Sequence, residues 1–440
     1  MSTSPARRAA FRDVFAVPEF RALWGAYVLS AAGDRLALVA LTLLVYGRTR
    51  SPLLAAVAFA AGTLPYVIGA LFLSGIADRF PRREVMVTCD VIRAVLVGAM
   101  LLPGMPLDAL IVLLYAVTAV QSPFDAARSA ILRDVVSGER YALAAATLQS
   151  TFRIMIVAGA AAGGLVVALA GARSALGIDA ATFVASAVLV RAGVRARPAA
   201  ASAALAPAGP APASRPSALH QLGSGIRVVF GDRALRTLLM LGWLAAFYEV
   251  PGGLAAPYAS RLGGGAVAAG LLIAGSQLGA AVATPLFTQR IGPLTRLKWM
   301  GPMAVCTCGV LVAAAVRPDL AVSIAIFALS SAFGMYQIAA NTAFVERLPN
   351  ERRAQAFGLA NAGLVVGQGL AFMAAGAAAE VVPPSTVIAL SGGLGALVAC
   401  GLALRWRDMS PAVGRHSARH LGRQSSLTRQ APVHAVRSRS

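Results

Sequence analysis

Long apolar runs separated by short polar or basic stretches dominate the chain. A helix needs about 20 apolar residues to cross the hydrocarbon core of a bilayer. Twelve runs come near that length, at roughly 22–46, 53–77, 85–103, 107–127, 142–170, 174–194, 236–260, 266–288, 299–316, 319–343, 354–382 and 386–404. Gly and Ala are abundant inside them. Small residues weaken a soluble helix but suit membrane helices, where they let backbones approach. Gly159-x-x-x-Gly163, Gly275-x-x-x-Gly279 and Gly363-x-x-x-Gly367 are of this kind. The ten-residue alternating strands of an outer-membrane barrel are absent from the pattern. The first run is too long for a signal-peptide core and lacks a convincing cleavage site, so it reads as a retained span. The pattern predicts an all-α membrane protein of twelve transmembrane helices.

Composition agrees. Hydrophobic types make up 58% of the 440 residues and charged types 13%, against about 25% charged in a soluble domain. There are 39 Lys+Arg against 18 Asp+Glu, a net charge of +21, and Lys298 is the single lysine. The placement of these charges predicts orientation. With both termini on the inner side, the inner connections and ends hold 31 of the 39 basic residues. The outer connections hold five (Arg48, Arg50, Arg173, Arg261 and Arg317), and Arg35, Arg93 and Arg153 lie within spans. The expected location is a cell membrane, multi-pass, with both termini cytoplasmic. The basic excess is then explained without a nucleic-acid partner. Cys89, Cys306, Cys308 and Cys400 sit in apolar runs with neither disulfide nor zinc spacing.

Residues 195–222 form a Pro/Ala/Ser stretch that cannot build a core and reads as a cytoplasmic linker. It divides the chain into an N-terminal six-helix bundle, 1–194, and a C-terminal one, 223–405. A basic tail, 406–440, is expected to be disordered near the anionic inner leaflet. The halves resemble each other. Arg12, Val14, Phe15, Arg21 and Leu23 recur 215 positions later as Arg227, Val229, Phe230, Arg236 and Leu238, and Asp34 meets Glu249 in the same register. Internal repeats with a site at their interface are a common plan for secondary transporters.

Between spans two and three the chain reads SGIADRFPRREV. Asp78 can bind an arginine or a helix N-terminus, and the basic residues pin the loop to the inner surface. Such a loop behaves as a latch, formed in one state and broken in another. Here the sequence resembles the major facilitator superfamily, through Gly75, Asp78, Arg79, Arg82 and Arg83; Ser74 and Pro81 depart from its usual glycines. The Phe-Pro-Arg-Arg form is similar to the branch of siderophore and drug exporters, the transmembrane secretion effector-like proteins. Gly33-Asp34-Arg35, Ala127-Arg128 before Ala130-Ile131-Leu132, and Asp179-Ala180-Ala181-Thr182-Phe183 agree with that branch. The resemblance covers about residues 11–406. It implies two pseudo-symmetric six-helix bundles, and it places Arg128 close to Asp78 as a latch pair. Gly159 to Gly164 is similar to the glycine-rich antiporter motif, with Ala160 in place of its proline; helix packing by small residues explains it as well.

Charges inside spans need a reason, because each costs about 2.5–3.5 kcal/mol at the bilayer centre. Asp34 lies roughly 18 Å into span one at 1.5 Å per residue, Glu249 lies at similar depth in span seven, and Arg153 lies in span five. The expectation is that Asp34, Glu249 and Arg153, with Arg35 beside Asp34, face a central cavity and couple transport to protons. The structural alternative is a permanent Asp34–Arg153 pair. Asp90 and Arg93 read as a local ion pair steadying the start of span three. Tyr27, Phe247, Tyr248, Tyr336, Gln337 and Asn341 are candidate substrate-pocket residues, since aromatic and amide groups suit amphipathic organic molecules. The four histidines lie in linker or tail, and no phosphate-cradling Gly-rich loop with Lys exists. An enzyme, a metal site and a cofactor are therefore not expected. The sequence favours a proton-coupled exporter of a small organic molecule, a drug, siderophore or secondary metabolite, for which a monomer suffices. A proton-coupled nutrient importer and a non-transporting membrane sensor are the alternatives.

Overall fold

The computed structural model describes residues 11–73, 75–197, 226–349 and 352–429; side chains at 71, 78, 139, 354 and 409–429 lie outside the description. The described residues form helices and contain no strand. Span one is Pro18–Thr49, and span three is Arg82–Met100. Span four is Leu107–Val135. Span eight is Ala266–Arg290. Span eleven is Arg353–Ala378.

Nine helices among the described residues are long and apolar enough to cross a membrane, or ten if the pair Arg233–Gly253 and Ala255–Arg261, bent by 44°, counts as one. One of the nine, Arg140–Gly193, has 54 residues, roughly 80 Å at 1.5 Å per residue, too long for one crossing. It breaks at Gly171, whose φ of 82° is open to glycine at no steric cost. Spans five and six lie on either side of that break. Arg82–Met100 has the length to cross but is too charged to pass on apolarity. Twelve crossings follow if the bent pair is one, the long helix is two and Arg82–Met100 is one.

The outward faces are apolar. Leu169, Phe72, Val316 and Val381 are 78–85% exposed. Water would penalise such a surface, whereas lipid accommodates it. Span three shows the opposite face. Met86, Asp90, Arg93, Val97 and Met100 are buried, a spacing of three and four residues that puts them on one stripe. That stripe turns two charges toward the bundle interior.

The halves touch at the end remote from the basic connections. Phe59 and Phe372 stack edge to face with centroids 5.2 Å apart. The carboxylate of Glu380 accepts the Ser51 hydroxyl at 2.5 Å and the Leu53 backbone N–H at 3.1 Å. It thus caps the start of span two from the other half of the chain, where a helix N-terminus attracts an anion. Spans five and eight cross without side chains between them. A Cβ at Gly164 would lie 2.5 Å from the Ala266 oxygen and 2.9 Å from the Gly270 Cα.

Residues 198–225, nearly all of the expected linker, lie outside the description. The last helix is described from Pro384 to Arg429, past the expected start of the tail at 406.

The crossing yields a prediction. Gly164→Leu should force the halves apart and lower stability by about 1–3 kcal/mol, the usual effect of overpacking, read as a drop in melting temperature of the detergent-solubilised protein. Gly177→Ala, where nothing lies within 4 Å, should leave the melting temperature unchanged or raise it.

Candidate functional site

Seven charged side chains meet inside the N-terminal half: Asp34 and Arg35 from span one, Asp90 and Arg93 from span three, Asp125 and Arg128 from span four, and Asp179 from span six. Arg93 is the hub. Fully buried, it forms an ion pair with Asp34 and lies 3.8 Å from Asp90. It also donates to the Ser30 hydroxyl at 3.0 Å, and its guanidinium lies 4.1 Å from the centroid of Phe183. The Ser186 hydroxyl donates to Asp90 at 2.6 Å. Arg128 pairs with Asp125 at 3.0 Å and stacks on Tyr27 at 3.8 Å. Arg35 lies 5.4 Å from the ring of Phe152.

Two small cavities flank Asp34 and Arg35. One, of about 30 Å³, is also lined by Gly62, Thr118, Gln121 and Asp179. The other, of similar size, is lined by Tyr27, Ser30, Asp125 and Phe152. Phe152 is also a wall of a third cavity, about 140 Å³, between span five and span eight. That cavity lies between the halves and holds Gln149, Arg153 and Gln277. The Gln277 amide donates toward Glu249 at 3.4 Å. Gln277 thus links Glu249 to the cavity that Arg153 also lines. Asp34 sits apart from them, inside the N-terminal bundle, paired with Arg93 and not with Arg153.

The loop residues divide. Gly75 is the N-cap of the short helix Ile76–Arg79, and Arg79 is exposed. Arg82 pairs with Asp134 at 2.7 Å. Arg83 pairs with Glu84 at 2.8 Å and donates to the Val194 carbonyl at 3.4 Å, tying span three to the end of span six. Arg191 also pairs with Glu84, at 2.8 Å. The side chain of Asp78 lies outside the description, so the Asp78–Arg128 latch has one described partner.

The six candidate pocket residues do not share one pocket. Tyr27 lines the cavity beside Asp34. Tyr336 is fully buried and its hydroxyl donates to the Leu241 carbonyl at 2.8 Å; it is a core residue of the C-terminal half, and burial would have stranded that hydroxyl without such a partner. Gln337 donates to the Tyr248 hydroxyl at 2.5 Å and to the Gly242 carbonyl at 3.3 Å. Phe247 packs where Gly395 of the last helix leaves room, and Asn341 is exposed.

Sequence reasoning set Asp90 and Arg93 at the start of span three. The helix begins at Arg82, which carries both well into the apolar run, and the buried stripe from Met86 to Met100 was the available signal. Gln277 and Phe152 gave none, because an amide or an aromatic in an apolar run is ordinary.

The sequence model of the Major Facilitator Superfamily matches residues 23–361 and, in a second match, 252–437. Two curated relatives are similar. The uncharacterized MFS-type transporter YkuC of Bacillus subtilis is 29% identical over 184 residues, 41% of this chain and 42% of that protein. The multidrug efflux pump Tap of Mycobacterium tuberculosis is 30% identical over 240 residues, 51% of this chain and 54% of that protein. The chain therefore spans about half the length of the curated relatives it matches. Among solved structures, the bacterial homologue of the iron transporter ferroportin in an inward-facing state has a TM-score of 0.62 at 16% identity, covering 90% of this chain and 99% of that one. The nucleoside transporter NupG has a TM-score of 0.63 at 16% identity, covering 88% and 99%. These likenesses show the fold.

The hub gives a second prediction. Arg93→Leu should destabilise the protein by about 3–5 kcal/mol, because it strands buried acids that lose their counter-charge. Arg82→Ala, at a partly exposed pair, should lose less than about 1 kcal/mol. Unfolding of both variants in detergent, followed by tryptophan fluorescence, checks the contrast.

Proposed function

The chain belongs to the Major Facilitator Superfamily, whose members are secondary transporters, and on that premise we propose that it exports a small organic molecule in exchange for protons. One observation carries the proposal. Glu249, half-buried, accepts a hydrogen bond from Gln277, which lines a cavity between the two halves together with Arg153. Rocking of the halves exposes such a cavity to one side and then the other, the plan expected of a transporter with internal repeats. An acid there can bind a proton on one side and release it on the other. Arg153 offers a counter-charge to the deprotonated acid or to an anionic group of the substrate.

Asp34 and Arg35 serve the same exchange from within the N-terminal bundle. Phe152 lines both their cavity and the one between the halves. The partly apolar walls of the larger cavity, with Gln149, Gln277 and Phe152, suit an amphipathic organic molecule. Similarity to the efflux pump Tap favours export of drug-like compounds over import. The basic connections face the cytoplasm in this arrangement, and both termini lie there. Residues 1–194 and 223–405 act as the two moving bodies, and 195–222 as the tether between them.

Inverted membrane vesicles provide the test. With an acid interior, vesicles containing the protein should accumulate ethidium above vesicles lacking it. Asp34→Asn and Glu249→Gln should bring accumulation down to the level of vesicles lacking the protein. Full acid-driven accumulation in both variants would contradict the coupling roles. Acid-driven uptake of a sugar or amino acid into right-side-out vesicles, with no ethidium accumulation, would replace export by import.

A further inference from the structure

Two motifs separated by more than a hundred residues, Gly33-Asp34-Arg35 and Asp179-Ala180-Ala181-Thr182-Phe183, meet in space. The Asp179 carboxylate and the Thr182 hydroxyl occupy the place where a Cβ on Gly33 would stand. Asp179 is 1% exposed, and neither of its carboxylate oxygens has a hydrogen-bond partner. The Thr182 hydroxyl is engaged elsewhere, donating to the Asp179 backbone carbonyl at 2.7 Å. The carboxylate faces the cavity of about 30 Å³ that it shares with Asp34 and Arg35, which has room for a single water.

The charges around Asp179 come from two elements: Asp34 and Arg35 on span one, and Asp90 and Arg93 on span three. Spans two and four present Gly62, Leu114, Val117, Thr118 and Gln121 to the same cavity, and none of these titrates. Asp34, Asp90 and Asp125 each have an arginine within 4.0 Å. Asp179 has no ion pair among the described residues. A buried carboxylate with neither ion pair nor hydrogen bond is the least favourable form of that group, and a bound proton removes the charge. Arg93 already lies against Phe183, four residues along from Asp179, and its Nε lacks an acceptor.

We propose that Asp179 is a proton-binding site of this transporter and that Arg93 follows the proton between Asp179 and Asp34. The inference deepens the proton-coupled reading above and rests on it. In the described state Asp179 holds the proton and Arg93 pairs with ionised Asp34. When the proton leaves the Asp179 carboxyl oxygen through the cavity water and binds an Asp34 oxygen, Arg93 exchanges its bond to Asp34 for one to Asp179. No charge is gained or lost by the cluster. Asp34 then carries the proton beside the second cavity, with Tyr27 and Asp125.

Infrared difference spectroscopy between acid and alkaline pH, on the purified full chain in liposomes, tests the assignment without a transport substrate. The wild type should show a protonated-carboxyl C=O band that disappears as Asp179 loses its proton toward alkaline pH. Asp179→Asn should lose this band, and Asp34→Asn, which frees Arg93 to pair with the Asp179 carboxylate, should move its appearance to lower pH. A band unchanged in Asp179→Asn, or lost instead in Asp90→Asn or Asp125→Asn, would overturn the assignment. If Asp179→Asn does not fold, Asp179→Glu should shift the band, and an unshifted band overturns it equally. Failure of the wild type to move ethidium, with the band assigned to Asp179, counts against drug export and leaves the proton site standing.

Discussion

A guanidinium carried into the middle of a lipid bilayer cannot be left alone. It stays charged at any pH a cell meets, so the chain around it has to supply acids. Arg93 stands roughly 16 Å into its helix at 1.5 Å per residue, and every nearby feature of the N-terminal half answers to it. Asp34 comes from span one, Asp90 from the preceding turn of its own helix, and Phe183 from span six offers its ring face. Gly33 gives up a side chain so that span six can approach. Three helices are held in register by one residue, and their packing becomes sensitive to the ionisation of the acids they share.

The contacts between the halves are of a different kind. Apolar rings, crossing glycines and a carboxylate on a helix N-terminus hold them together at the end remote from the basic connections. Dispersion and a few hydrogen bonds can be exchanged for similar contacts at the opposite end without moving a buried charge. This division, strong electrostatics within a half and exchangeable packing between halves, is what rocking about a central cavity requires.

Much of the plan was legible in the sequence. The membrane class followed from run length, and the family from the loop after span two. The positions of Asp34, Glu249 and Arg153 as charges within spans are visible because charge in an apolar run is rare. What they touch is not. Asp34 meets Arg93 and not Arg153, because pairing depends on which helices are neighbours, and spacing along one helix carries no such information. Tyr336 looked like a pocket residue because an aromatic with a hydroxyl serves core and pocket equally well; the Leu241 carbonyl decided for the core. Asp179 is only a piece of family likeness in the sequence; its place against Gly33 depends on how spans one and six pack.

The central claim is that protonation of buried carboxylates sets which end of the two-half assembly is closed. Oxidative cross-linking of cysteines placed at Ser51 and Glu380, whose side chains meet across the closed end, measures that directly in a background lacking Cys89, Cys306, Cys308 and Cys400. The account predicts that cross-linking yield, at fixed oxidant reactivity, changes between acid and alkaline pH and that the change disappears when Asp34→Asn and Glu249→Gln are combined. A yield independent of pH in the parent protein, or a pH dependence untouched by the combined substitution, would contradict it.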